Sequence, residues 1–95
     1  MAAPRTYVYR IHASKRMLQR GIRSVDVEYV AEVGEVIETY SDDTPFPSRL
    51  VLGVTNGSAL HVVLADEPDT DRTFVITTYY PDPAQWDNDF RRRKS

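Results

Sequence analysis

The chain has 95 residues, 41% apolar and 27% charged, with no cysteine. That is room for one domain over residues 1–95 with a modest core. The lack of thiols excludes disulfides, thiolate metal sites and a cysteine nucleophile, and it leans toward a reducing, cytoplasmic setting. No apolar run approaches the roughly 20 residues of a membrane span, and Met1-Ala2-Ala3-Pro4-Arg5 lacks the apolar stretch of a signal peptide.

The net charge of −2 conceals a segregation. Residues 1–23 hold six bases (Arg5, Arg10, Lys15, Arg16, Arg20, Arg23) and no acid, residues 24–71 hold eleven acids and one base, and residues 72–95 hold five bases and three acids. A basic end on an acidic body can attract a polyanion locally; alternatively, the basic ends pair with the acidic middle.

Thr6 to Ile11 alternates β-branched and aromatic residues and reads as a strand. His12 to Arg20 sorts as a helix at about 100° per residue. Ala13, Met17 and Leu18 fall on one side with Ser14, whereas His12, Lys15, Arg16 and Gln19 fall on the other, with Arg20 at the border. Gly21 stops this helix and Ile22 folds back as the apolar partner of the cap. Ser24 is a suitable N-cap for a second helix, with Asp26 and Glu28 in its first turn, Val27, Val30 and Ala31 as its buried stripe, and Gly34 just past its end.

Glu35 to Tyr40 alternates again, and Ser41 to Ser48 is a loop by composition. Asn56-Gly57 between the apolar runs Arg49–Thr55 and Ser58–Ala65 predicts a hairpin with a type I′ turn. A two-residue loop pairs Thr55 with Ser58, so Leu52 faces His61 and Leu50 faces Val63. Asp66 to Asp71 is an acidic loop. Thr73 to Tyr80 reads as the last strand, with Val75, Thr77 and Tyr79 on one face. Asp82-Pro83-Ala84-Gln85 carries helix-start residues, so a C-terminal helix is expected, with Trp86 and Phe90 sharing a face. The order strand, helix, helix and four strands predicts an α+β domain. Its two N-terminal helices would pack on an antiparallel four-stranded sheet, followed by the C-terminal helix.

The main candidate constellation is His12, Arg16 and Arg20, a slanting row on one helix surface at steps of four. Cleaving an RNA phosphodiester through its own 2′-hydroxyl needs a base for that hydroxyl, cations for the charge on phosphorus, and an acid for the leaving oxygen. An imidazole, with an unperturbed pKa of about 6.5, suits the base. Guanidinium forks suit the phosphate. The same row reads equally as a solvated basic face, or as arginines paired with the acidic body. Thr77 and Tyr79 could add hydroxyls to a phosphate pocket, or be an ordinary strand face. His61, among apolar neighbours, reads as a hydrogen-bonded, partly buried histidine. The terminal Arg91-Arg92-Arg93-Lys94 could touch RNA backbone, or simply be a solvated end. No Gly-rich phosphate loop or zinc-binding helix motif is present, and neither a cofactor nor a metal is expected.

The run His12-Ala13-x-x-Arg16-Met17-x-x-Arg20-Gly21-Ile22 is similar to the opening motif of the bacterial family called domain of unknown function 4258. Gly34-Glu35-Val36-Ile37-Glu38-x-Tyr40, Leu60-His61-Val62-Val63, Val75-Ile76-Thr77-x-Tyr79 and Pro81-Asp82-x-x-x-Trp86 come next, in that family's order. The family resembles the BrnT-like and RelE-like toxins, of barnase/EndoU-type architecture. The resemblance implies a metal-independent ribonuclease face of toxin–antitoxin type, with RNA and a cognate antitoxin as partners and no membrane. On it, His12 would act as base or acid, Arg16 and Arg20 would hold phosphate, and Thr77 and Tyr79 would complete the pocket. The alternatives are a non-catalytic protein-interaction module and a degenerate toxin-fold protein. The sequence pI of 5.6 favours the latter, since many RNA-cleaving toxins are strongly basic.

Overall fold

The computed structural model describes residues 5–94. Residues 1–4, on which the sequence expectation about a signal peptide mostly falls, lie outside the described residues. In chain order the elements are strand β1 (Thr6–Tyr9), helices α1 (Ile11–Arg20) and α2 (Ser24–Val33), and strands β2 (Glu35–Tyr40), β3 (Ser48–Thr55), β4 (Ser58–Asp66) and β5 (Arg72–Tyr79).

These strands form one five-stranded sheet in the order β1-β5-β4-β3-β2. The antiparallel four-stranded sheet expected from the sequence is therefore incorrect: β1 joins as a fifth strand, parallel to β5, with Thr6 opposite Arg72 and Tyr9 opposite Val75. A parallel neighbour needs a long crossover rather than a tight turn, so no local signal announces it. The chain supplies that crossover as both helices and three strands. The Arg5 guanidinium fixes the start of the pairing by donating to Thr73 Oγ1 and to the Arg72 carbonyl.

The hairpin adopts the expected register, with Thr55 opposite Ser58, Leu52 opposite His61 and Leu50 opposite Val63. Asn56 and Gly57 have φ of 53° and 79°, as a type I′ turn demands.

Both helices cover one face of the sheet. Ala13, Ile22, Val27 and Val30 pack there against Val51, Leu60, Val62, Leu64 and Val75. Gly21 ends α1 in the left-handed region, and the N–H groups of Gly21 and Ile22 both donate to the Met17 carbonyl. Leu18 does not join the core: it is 86% exposed, so the buried side of α1 is Ala13 and Met17 alone. Ser24 is the first residue of α2, and no side chain caps that helix. At its other end Gly34 is required by space. A Cβ there would lie 2.5 Å from both the Val30 carbonyl oxygen and Val51 Cγ1, and 2.7 Å from the Leu52 carbonyl oxygen.

The opposite face carries Leu50, Val63, Ile37, Tyr40 and Ile76, and the C-terminal segment folds over it. That segment is not a helix, which corrects the second part of the expected architecture. Asp82 begins one turn: its carboxylate accepts from the Ala84 N–H, and its carbonyl accepts from Gln85 and Trp86. Asp87-Asn88-Asp89 then supplies three poor helix formers. The chain doubles back instead. Phe90 adopts φ 61°, the Asp87 N–H reaches the Arg92 carbonyl, and Trp86 bridges Arg93. The indole ends 2% exposed against Leu50 and Val63.

Two bulges adjust the strands. Ile37 is the extra residue between the Val36–Val51 and Glu38–Leu50 pairs, and Ile76 is the extra residue between Leu64–Val75 and Val63–Thr77. One extra residue turns the rest of its strand to the other face. Val75 therefore packs beneath the helices, whereas Thr77 and Tyr79 lie across from Val63 and His61 on the far face. The expected shared face for Val75, Thr77 and Tyr79 is incorrect for this reason.

A candidate phosphate-binding cleft

At the end of β5, α1 and the segment after the sheet enclose a cleft of about 610 Å³. Arg16 and Arg20 line one part of it, and Tyr79, Tyr80, Asp82 and Trp86 are among the residues that line the rest. The helical step of four keeps the two arginines on one surface, and the Ile76 bulge turns Tyr79 to the side where the C-terminal segment passes. Of the candidates His12, Arg16, Arg20, Thr77 and Tyr79, the cleft thus gathers Arg16, Arg20 and Tyr79.

The other two lie elsewhere. His12 is exposed and lines a separate groove of about 460 Å³ with Arg10, Pro45, Phe46 and Phe74. There the Arg10 guanidinium lies 4.6 Å over the Phe74 ring, which is stacked on Phe46. Thr77 pairs with Val63 and does not line the cleft.

The charge pattern resolves in a specific way. Arg5 and Arg49 pair with Asp66, Arg23 with Asp26, Arg72 with Glu67, Arg91 with Glu35 and Arg93 with Glu38. The reading in which the basic ends pair with the acidic middle is therefore correct for five of these six, Arg49 itself belonging to the middle. Arg91 and Arg93 are thus engaged in exposed ion pairs with the edge strand β2. Among the described residues, Arg16 and Arg20 have no carboxylate partner. An unpaired guanidinium keeps its full set of donors for a ligand. Asp82 is the one acid lining the cleft, and its carboxylate is engaged in its own turn.

Beneath the cleft, Tyr79 meets a group whose role the sequence does not reveal. His61 is fully buried, directly opposite Tyr79. Its Nε2 lies 2.9 Å from the Phe90 carbonyl oxygen, and its Nδ1 lies 3.3 Å from the Tyr79 hydroxyl. Trp86 packs edge-on against the imidazole at 4.5 Å. Burial pushes the His61 pKa down; the Phe90 carbonyl and the Glu38 charge oppose this, while Arg93 adds to it. Burial likewise pushes the Tyr79 pKa up, with Arg93 working against it and Glu38 with it. Both groups are thereby favoured in their neutral forms. Alternation alone places His61 on a buried strand. Its partner is not visible in the sequence, because the Ile76 bulge sets which β5 residue faces it.

Among the described residues, no three His, Asp or Glu side chains are grouped to hold a metal ion, and no helix is long and apolar enough to cross a membrane.

The fold and cleft define a small α+β domain with a mixed sheet and an arginine-lined pocket at one strand end. Residues 9–80 match the family described as Domain of unknown function (DUF4258), and the chain belongs to that family. No curated protein and no solved structure matches the chain.

Proposed function

We propose that this chain binds single-stranded RNA in the Arg16–Arg20–Tyr79 cleft and cleaves it there without a metal ion, as a toxin-type ribonuclease. The observation that carries the reading is that Arg16 and Arg20, both without carboxylate partners, share a cavity with Tyr79. Two guanidiniums can hold a phosphodiester and stabilise the charge that builds on it. Tyr80 is 45% exposed beside them and offers a face for an unpaired base. The proposal agrees with the toxin resemblance in chemistry and not in sheet layout. An antitoxin able to cover this cleft would present carboxylates to the same two arginines.

The test is cleavage of varied RNAs by purified protein in the presence of a chelator. Wild type is expected to cut, and Arg16→Ala or Arg20→Ala to weaken binding roughly 10-fold or more, the scale of one charged hydrogen bond. Equal inactivity and equal lack of binding in all three proteins would sink the proposal.

A second reading has its own observation. Leu18, Val25 and Tyr29 are 86%, 60% and 53% exposed on the two helices. A protein-interaction module would use such a surface. Expression in a host without any partner separates the two: a ribonuclease toxin arrests growth and Arg16→Ala relieves it, whereas an interaction module does neither.

A further inference from the structure

His61 holds a defined tautomer. The Phe90 carbonyl oxygen can only accept, so the nitrogen facing it, Nε2, carries the proton. A neutral imidazole then has a bare Nδ1, and the Tyr79 hydroxyl is the donor to it. The proton of Tyr79 therefore points inward. Tyr79 also lines the cleft with Arg16 and Arg20, and among the described residues its hydroxyl has no hydrogen-bond partner besides His61. An oxygen so arranged accepts a proton from a ligand as it hands its own to the imidazole.

We infer that His61 is a positioning residue that receives, through Tyr79, the proton of a ligand hydroxyl lying beside the clamped phosphate. The inference rests on the ribonuclease reading and assigns the group that takes the proton of the 2′-hydroxyl, which DNA lacks. The ligand O–H bond breaks as an O–H bond forms on Tyr79. The original Tyr79 proton passes to Nδ1, leaving Tyr79 neutral and His61 an imidazolium. The freed 2′-oxygen bonds to phosphorus, the bond from phosphorus to the 5′-oxygen breaks, and that oxygen takes a proton from water. Reversal of the relay then returns the stored proton to solvent.

Burial opposes the imidazolium at His61, and the Phe90 carbonyl and the Glu38 charge offset part of that opposition. Glu38 on β2, Tyr79 on β5, and Arg93 and the Phe90 carbonyl on the C-terminal segment are the charged, titratable and polar groups that act on it, and Tyr40 on β2 donates to Glu38. Glu38 favours the imidazolium and Arg93 opposes it, but Arg93 is itself paired with Glu38 at 3.1 Å. The Phe90 carbonyl keeps its hydrogen bond in both protonation states. His12, the base suggested by the sequence, lies in the other groove and is not needed.

The test combines nitrogen NMR of the imidazole with a rate–pH profile on a ribodinucleoside monophosphate. Nδ1 is expected to be bare in the free protein, and Tyr79→Phe to shift its resonance. The acid limb of cleavage should track the His61 titration seen by NMR. In His61→Gln, whose amide can still donate to Phe90 and accept from Tyr79, that limb should vanish and the rate fall roughly 100-fold. A protonated Nδ1, an unmoved resonance in Tyr79→Phe, or an acid limb that survives in His61→Gln overturns the relay. Tyr79→Phe carries the test if His61→Gln does not fold. Cleavage whose acid limb survives in His61→Gln overturns the relay and leaves the ribonuclease reading standing; binding without cleavage overturns both and leaves RNA binding alone. Absence of binding removes that reading and the relay with it.

Discussion

The Arg93 guanidinium lies 4.6 Å over the Trp86 ring and also pairs with Glu38 at 3.1 Å. One side chain thus joins the C-terminal loop to itself and to the edge strand β2. Trp86 in turn presses on His61, so the floor of the cleft depends on a loop with no regular secondary structure.

Arg93→Ala should cost about 1 kcal/mol at neutral pH, the combined scale of an exposed ion pair and a cation–π contact. The deficit should shrink in acid. Burial works against the Glu38 carboxylate, yet hydrogen bonds from Tyr40 and Arg93 with the Arg93 charge hold its pKa below the usual range. A depressed carboxylate contributes stability above its unfolded pKa and loses it as pH falls through the folded value. Thermal unfolding of wild type and variant at pH 7 and in acid checks both statements.

His61 adds a second pH dependence, nearer neutrality. Burial lowers its pKa in the folded chain, so the unfolded chain binds more protons below about pH 6.5. Stability is then complete above that pH and falls as pH drops toward the folded value. Urea midpoints measured from pH 8 to pH 5 should decline in wild type and flatten in His61→Gln. A decline of equal size in both proteins would remove His61 as its source.

RNA binding should depend on salt through few contacts. Two phosphate-binding arginines give a slope of log affinity against log salt of about −1.4 on single strands, and Arg20→Ala should reduce it by about 0.7. Titrations at several ionic strengths decide this. A much steeper slope would mean that Lys15 or the His12 groove also engages the strand.

Gly34→Ala should destabilise by about 2 kcal/mol, since the new methyl collides with two backbone carbonyls and Val51 where no flexible side chain can yield. Chemical denaturation measures it. A neutral result would mean that α2 and β3 can move apart at little cost.

The hairpin is legible in the sequence because Asn56-Gly57 fixes both turn and register, and every pairing from Thr55–Ser58 to Leu50–Val63 derives from it. The row on α1 is legible because a helix keeps a constant phase, so Arg16 and Arg20 have to share a surface. The parallel pairing of β1 is not, since it joins Thr6 to Arg72 with no local consequence in the chain. The C-terminal segment misleads because Asp82-Pro83 does start a turn; the path beyond that turn is decided by Trp86 finding a buried seat against Val63 and His61. Leu18 misleads for the opposite reason: it falls at the edge of an apolar stripe too narrow to bury it. The Tyr79–His61 pair is hidden by one inserted residue in β5.

That residue, Ile76, leaves the strand with two possible reading frames. In the frame the fold adopts, Ile76 stands outside the ladder and Tyr79 meets His61. Were Ile76 to take the place opposite Val63, each later residue would slip by one, Thr78 would meet His61 and Tyr79 would turn beneath the helices. Removing residue 76 would not move Tyr79, because plain alternation from Val75 then leaves Thr77 and Tyr79 on the far face. Adding one residue between Thr77 and Tyr79 would move it. The end of β5 therefore tolerates a loss of length and not a gain.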